Sequence, residues 1–128
     1  MNANPLVLDA LKNIGIPVCW LEYKGKAEEY ITFNDALNAP SLYADDLDEL
    51  DTVILQIHHY TKGDPQKRLK EIRNALRGAG FTILETLTSK ESIASGGVNL
   101  KNDTTTGFIH SIIKVQIEGR SDDFEEEE

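Results

Sequence analysis

Three histidines, one cysteine and two opposed clusters of charge are the residues whose types and spacing bear on chemistry. His58 and His59 are adjacent within Val53-Ile54-Leu55-Gln56-Ile57-His58-His59-Tyr60, a run whose β-branched and apolar content marks a strand. Neighbours in a strand point to opposite faces, so regular geometry does not let the two imidazoles chelate one metal. His110, on a later strand, can approach one of them and add a second nitrogen, with Glu85 imaginable as an acidic third ligand. Metal sites usually declare themselves with paired ligands one helical turn apart, and none are present, so half-exposed strand histidines are the plainer reading. Cys19, between Val18 and Trp20, reads as a buried structural thiol. No serine sits in a Gly-x-Ser-x-Gly elbow, and Gly96-Gly97 is followed by neither Lys-Ser/Thr nor a helix start. The acidic 45–51 stretch lacks the central glycine and terminal glutamate of a calcium loop. No residue is assigned to catalysis, to a cofactor or to a metal, and the expectation is that the chain is not an enzyme. A small histidine- or metal-dependent enzyme built on His58 or His59 with His110 stays as the alternative from another class.

The charges are more informative. Of 13 basic residues, Lys67, Arg68, Lys70, Arg73 and Arg77 cluster on the outer side of one helix. Asp45, Asp46, Asp48, Glu49 and Asp51 cluster in a loop, and a second acidic run closes the chain. A formal net charge of −9 argues against non-specific nucleic-acid binding, which relies on Lys and Arg. Two readings of the basic helix stay open. One is a solvated face, with Arg73 and Arg77 favoured by the helix dipole near its C-terminus. The other is head-to-tail complementarity, the basic helix of one copy facing an acidic loop of the next, a contact that closes rings when the rotation permits.

The elements that must position these residues centre on Thr52 to Leu87. The Val53–Tyr60 strand breaks at Lys62-Gly63-Asp64-Pro65, where Asp64 is suited to cap a helix and Pro65 to its first position. Leu69, Ile72, Leu76 and Ala79 form one apolar stripe, and Gly80 can take the left-handed conformation that ends the helix. Phe81-Thr82-Ile83-Leu84 then starts a new strand. Upstream, Asn4-Pro5 repeats the cap-plus-proline signal for a short helix ending at Gly15. Ile16–Leu21 and Tyr30–Phe33 suggest a hairpin, with Pro17 at an edge. Asn34 to Asp51, broken by Asn38-Ala39-Pro40, reads as an exposed acidic loop, and Thr88 to Thr106 as a long polar loop. Phe108 to Glu118 is a strand with Ile109, Ile113, Val115 and Ile117 on one face, Ser111 being the exception.

The expectation is α+β: a small, mostly antiparallel four-stranded sheet with two helices packed on one face. A single domain covers residues 1–120, and residues 121–128 form a disordered acidic tail. One cysteine permits no internal disulfide. The N-terminus lacks the basic region and apolar core of a signal peptide, and no apolar run is long enough for a membrane span, so a cytoplasmic setting is expected.

The order of the motifs resembles a known family. Leu11-Lys12-Asn13-Ile14-Gly15-Ile16-Pro17-Val18 is followed by Glu29-Tyr30-Ile31-Thr32-Phe33, and Ala44-Asp45 precedes the Val53–Ile57 strand and its Tyr60-Thr61-Lys62-Gly63-Asp64 turn. Gly78-Ala79-Gly80-Phe81 and Thr106-Gly107-Phe108-Ile109-His110, leading into Ile112-Ile113-Lys114-Val115, complete the series. Over about residues 5–118 the chain resembles the tail terminator, or tail-to-head joining, proteins of long-tailed (siphovirus-type) bacteriophages and prophages. The 34–44 and 88–106 connections and the acidic tail depart from that pattern. The resemblance implies a virion structural protein, assembled in the host cytoplasm and placed at the head–tail joint. It would form a homo-hexameric ring that caps the head-proximal end of the tail tube, stops tube polymerisation and offers the head-joining surface. Its partners would be further copies of itself, the tail tube protein and a head completion or connector protein, with DNA passing through the lumen unbound. Another head–tail adaptor role is the neighbouring alternative. Under this reading the subunit interface is expected at Lys67, Arg68, Lys70, Arg73 and Arg77. The acidic lining of the DNA channel is expected at Asp45, Asp46, Asp48, Glu49 and Asp51 or in the tail. The contact loop toward tube or connector is expected at Ile93, Val98, Asn99, Leu100, Lys101 and Asn102.

Overall fold

Five stretches extend and two coil, and alternation of apolar side chains decides which way each faces. In the computed structural model, residues 3–40, 50–92 and 105–120 are described. The elements are α1 (Asn4–Ala10), β1 (Val18–Trp20), β2 (Glu29–Pro40), β3 (Leu50–Thr61), α2 (Gln66–Gly78), β4 (Thr82–Ser92) and β5 (Thr105–Arg120). The strands form one mixed sheet in the order β1-β2-β3-β5-β4, antiparallel except for the β1–β2 pair. No described helix is long and apolar enough to cross a membrane.

The α+β class and the two helices match expectation; the strand count and several boundaries do not. The sheet has five strands, because the segment expected as half of a hairpin adds instead as a parallel edge strand, Val18 beside Ile31 and Trp20 beside Phe33. Leu21, at φ 68°, turns the chain out of β1, and the 21–28 connection returns it to the starting end of β2. So short a crossover suffices only because β1 is three residues long. Asn38-Ala39-Pro40 does not break β2 but pairs with Val53, Thr52 and Asp51. Thr88 to Ser92 likewise extends β4, not a loop. Proline and serine are tolerated at these places because β2 beyond Phe33 and β4 both have, among the described residues, an outer edge without a strand neighbour.

The core lies between the sheet and both helices. Val53, Leu55 and Ile57 of β3, Ile31 and Phe33 of β2, and Ile113 and Val115 of β5 meet Val7 and Leu11 of the first helix region and Leu69, Ile72 and Leu76 of α2. Ser111, the polar exception on the inner face of β5, is fully buried and is satisfied by Thr88, Oγ to Oγ1 2.9 Å. Helix α1 is shorter than expected: Ala3, not Asn4, sits at its N-cap, and it ends at Ala10, five residues before Gly15. Helix α2 starts one residue later than expected, with Pro65 and not Asp64 at its N-cap, but its local signals still act. The Gln66 amide donates to Asp64 Oδ1 at 3.0 Å. At the far end, Phe81 N donates to Leu76 O and Gly80 N to Arg77 O, both at 3.0 Å, with Gly80 at φ 98°. This reciprocal closure drives Phe81 back into the core beside Leu76.

Candidate functional site

Strand parity separates the two adjacent histidines, as expected, and the structure gives each a different environment. His59 faces the helices and is fully buried. Its Nε2–H donates to Glu29 Oε2 at 2.8 Å, since a carboxylate only accepts. Arg68 grips the same carboxylate with two bonds, Nε to Oε2 at 2.9 Å and Nη2 to Oε1 at 3.2 Å. Its Nη1 donates to Ile14 O at 2.8 Å and to Glu71 Oε1 at 3.1 Å. One side chain of α2 thus ties together β2, β3 and the turn after α1. Burial pushes the Glu29 carboxyl up, but the bonds from Arg68 and His59 outweigh it and hold it below its usual value. Burial pushes the His59 pKa below its ordinary value, against the pull of Glu29.

A carboxylate-oriented imidazole has the arrangement of a general base. Here, though, the other ring nitrogen, Nδ1, is buried and has no hydrogen-bond partner among the described residues. The network joins β3, β2 and α2 through the Glu29 carboxylate. The groove above it, lined by Glu29, Thr61, Gly63, Asp64, Lys67, Arg68 and Glu71, meets the network at Glu29 and Arg68.

His58 lies on the opposite face, away from α1 and α2, and does meet His110: Nδ1 and Nε2 are 2.9 Å apart. His58 Nε2 lies 3.0 Å from Asn34 Oδ1, an acceptor, which leaves Nδ1 to accept from His110 Nε2–H. Burial, then the charge of His110, lower the His58 pKa. The pair belongs to a stack across the sheet. Tyr23 on Tyr30, Tyr30 on Tyr60 and Tyr60 on His110 have ring centroids 4.5, 4.7 and 4.4 Å apart. Phe108 meets Tyr30 edge-on at 5.8 Å, and Lys62 Nζ sits 5.0 Å from the Phe108 centroid. The stack pins the 21–28 connection to the sheet, because Tyr23 also accepts from Ala27 N at 3.0 Å.

Glu85 does not join the histidines as a third ligand. It pairs with Lys114 at 3.7 Å, and Lys114 lies four residues along β5 from His110. Among the described residues no group of three or more His, Cys, Asp or Glu could hold a metal ion. Cys19 is half-buried, not buried, because β1 is an edge strand with one open side.

The basic helix divides. Lys67, Lys70 and Arg77 are exposed and Arg73 is half-buried, whereas Arg68 is turned inward to Glu29 and does not belong to the outer face. Asp45, Asp46, Asp48 and Glu49 lie outside the described residues, as do Ile93, Val98, Asn99, Leu100, Lys101, Asn102 and the 121–128 tail. Asp51 is described only as backbone of β3, opposite Pro40 and Gly119. Sequence reasoning missed the apolar edges: Trp20 and Leu21 at the β1 side, Leu37 on β2, and Leu84 and Leu87 on β4 are all exposed. Pro17 marks β1 as an edge strand, but no comparable signal marks β4.

No family model matches the chain, and no curated protein matches it. Among solved structures, a chain of the virion of the native gene transfer agent particle is similar in fold. Its TM-score is 0.51 at 10% sequence identity, over 92% of this chain and 87% of that chain. At that identity the likeness is one of fold.

Proposed function

We propose that this chain is a virion structural protein that caps the head-proximal end of a phage-type tail tube as a ring, halting tube growth and presenting the surface to which a head docks. The observation that carries the reading is the fold likeness to a chain of the gene transfer agent virion over nearly the full length of both proteins. It agrees with the order of sequence motifs that resembles tail terminators. Further support comes from what the histidines do. His59 is buried against Glu29, and His58 is paired with His110 in an aromatic stack, arrangements that a structural role accounts for.

In this reading the partners are further copies of the chain, a tube protein and a head completion protein. The exposed cations Lys67, Lys70 and Arg77 face a neighbouring molecule, with Arg73 beside them. Asp45, Asp46, Asp48, Glu49 and Asp51 edge the channel, where negative charge repels DNA phosphates and lets the duplex slide. Residues 93–102 supply the contact to tube or connector. The direct biochemical test adds the purified protein to its cognate tube protein during polymerisation. Tubes that stop growing and carry a ring at one end support capping; unaltered length distributions and bare ends refute it. A ring that instead binds heads and leaves tube growth unchanged marks a different head–tail adaptor.

A further inference from the structure

His58 and His110 meet on the face of the sheet that carries the aromatic stack, and each ring is held by a third group as well. The register sets Tyr60 opposite His110 and His58 opposite Ile112, so the two imidazoles are diagonal neighbours on adjacent antiparallel strands. The His110 ring lies on Tyr60, centroids 4.4 Å apart, and Tyr60 in turn lies on Tyr30. The His58 ring is held from its far side, where Nε2–H donates to Asn34 Oδ1 at 3.0 Å. That bond leaves Nδ1 as the lone pair, and it faces His110 Nε2 at 2.9 Å. A carbonyl oxygen that takes one ring N–H and so fixes the other nitrogen as a lone pair is the usual device for orienting a metal-binding imidazole. Both rings are half-buried, so the pair is open to solvent on one side.

We propose that His58 Nδ1 and His110 Nε2 form a two-imidazole site for a divalent transition-metal ion of the Ni²⁺ or Zn²⁺ kind, with Asn34 as a positioning residue and water in the remaining coordination places. Imidazole suits these ions, whereas Mg²⁺ and Ca²⁺ take oxygen ligands. With metal–nitrogen bonds of about 2.0–2.1 Å, nitrogens 2.9 Å apart subtend roughly a right angle at a shared ion, and opening to about 3.3 Å makes the angle tetrahedral. His110 takes its Nδ1–H tautomer, which frees the Nε2 lone pair, and both rings turn to aim their lone pairs at the ion. The ring planes already lie 31° apart. Glu85 is paired with Lys114, and among the described residues no third His, Cys, Asp or Glu completes a metal-binding group. The site is therefore an open clamp between β3 and β5, and an ion bound there stabilises the folded chain by linkage. It neither needs nor supports capping of a tube.

The test uses the full chain, stripped of metal with a chelator and dialysed, in calorimetric titrations with Ni²⁺ and Zn²⁺ and in imidazole nitrogen NMR with Zn²⁺. One ion should bind per chain. Zn²⁺ should move the resonances of His58 Nδ1 and His110 Nε2 and leave those of buried His59 in place. His58→Gln and His110→Gln should each bind at least about tenfold more weakly, and Asn34→Ala about tenfold more weakly with both imidazoles still reporting the ion. Cys19 stands opposite Thr32, which stands opposite His58, so Cys19→Ser is the control and should bind like the wild type. No heat and no shift at millimolar metal would overturn the inference. Binding that survives either glutamine variant, vanishes in Cys19→Ser, or shifts His59 instead would place the ion elsewhere and overturn it too. The nitrogen spectra are read on the wild type, so the decision holds even where circular dichroism shows a variant to be unfolded.

Discussion

Glu29 holds three elements together through one carboxylate, accepting from buried His59 and twice from Arg68. Removing its charge leaves two donors facing a poorer acceptor in a half-buried site. Glu29→Gln should therefore lower unfolding free energy by about 1–3 kcal/mol in urea titration, and Glu29→Ala by more; a loss too small to resolve would mean that the network is idle. The histidines set the pH response. His58 and His59 both titrate below the ordinary 6.5 in the folded chain, so between the folded and unfolded values the unfolded chain binds more protons. Stability is then full above 6.5 and falls as the pH drops through the folded pKa values. Glu29, held below 4.5, adds a second contribution that is present above 4.5 and lost under stronger acid. The urea midpoint should be flat above 6.5 and decline below it, and His59→Leu should flatten the upper part of the decline; a midpoint that rises on acidification contradicts this. Strand parity alone put His58 and His59 on opposite faces. It did not reveal their partners, because Glu29 is 30 residues from His59 and Arg68 is 39 from Glu29, contacts fixed only by sheet register and helix docking.

At the level of elements, the local signals that were read correctly are those whose physics is complete within a few residues. Asp64 and Gly80 bracket α2 because a carboxylate satisfies orphan amides and a glycine tolerates positive φ, whatever the rest of the chain does. A Cβ on Gly80 would meet nothing closer than Ile117 Cδ1 at 4.0 Å, so the cost of Gly80→Ala is backbone strain alone. It should destabilise by about 1–2 kcal/mol with no change in fold; a neutral result would mean that the helix end relaxes to another closure. The signals that failed depend on distant chain. β1 looked like half of a hairpin because nothing in Val18-Cys19-Trp20 encodes direction, and it is Leu21 and the Tyr23–Tyr30 stack that turn the connection back. The polar ends of β2 and β4 looked like loops because strands with an open outer edge need not alternate cleanly. Only their pairing with β3 and β5 makes them strands.

At the scale of the whole molecule, one face of the sheet packs against both helices and the other carries an aromatic and histidine stack. Under the proposed function, such a molecule assembles with further copies of itself. Replacing Asp45, Asp46, Asp48, Glu49 and Asp51 with asparagine should leave assembly intact and slow DNA ejection from completed particles; ejection at the normal rate would remove these residues from the channel. Deleting 93–102 should preserve folding and abolish joining, and normal joining would exclude that segment from the contact. The most direct measurement is electron microscopy of lysates from the source phage or induced prophage lacking this one gene, with the gene restored in trans as control. Capping predicts overlong or ragged headless tails beside filled, tailless heads, with normal particles on complementation; intact virions of normal tail length without the gene would contradict it.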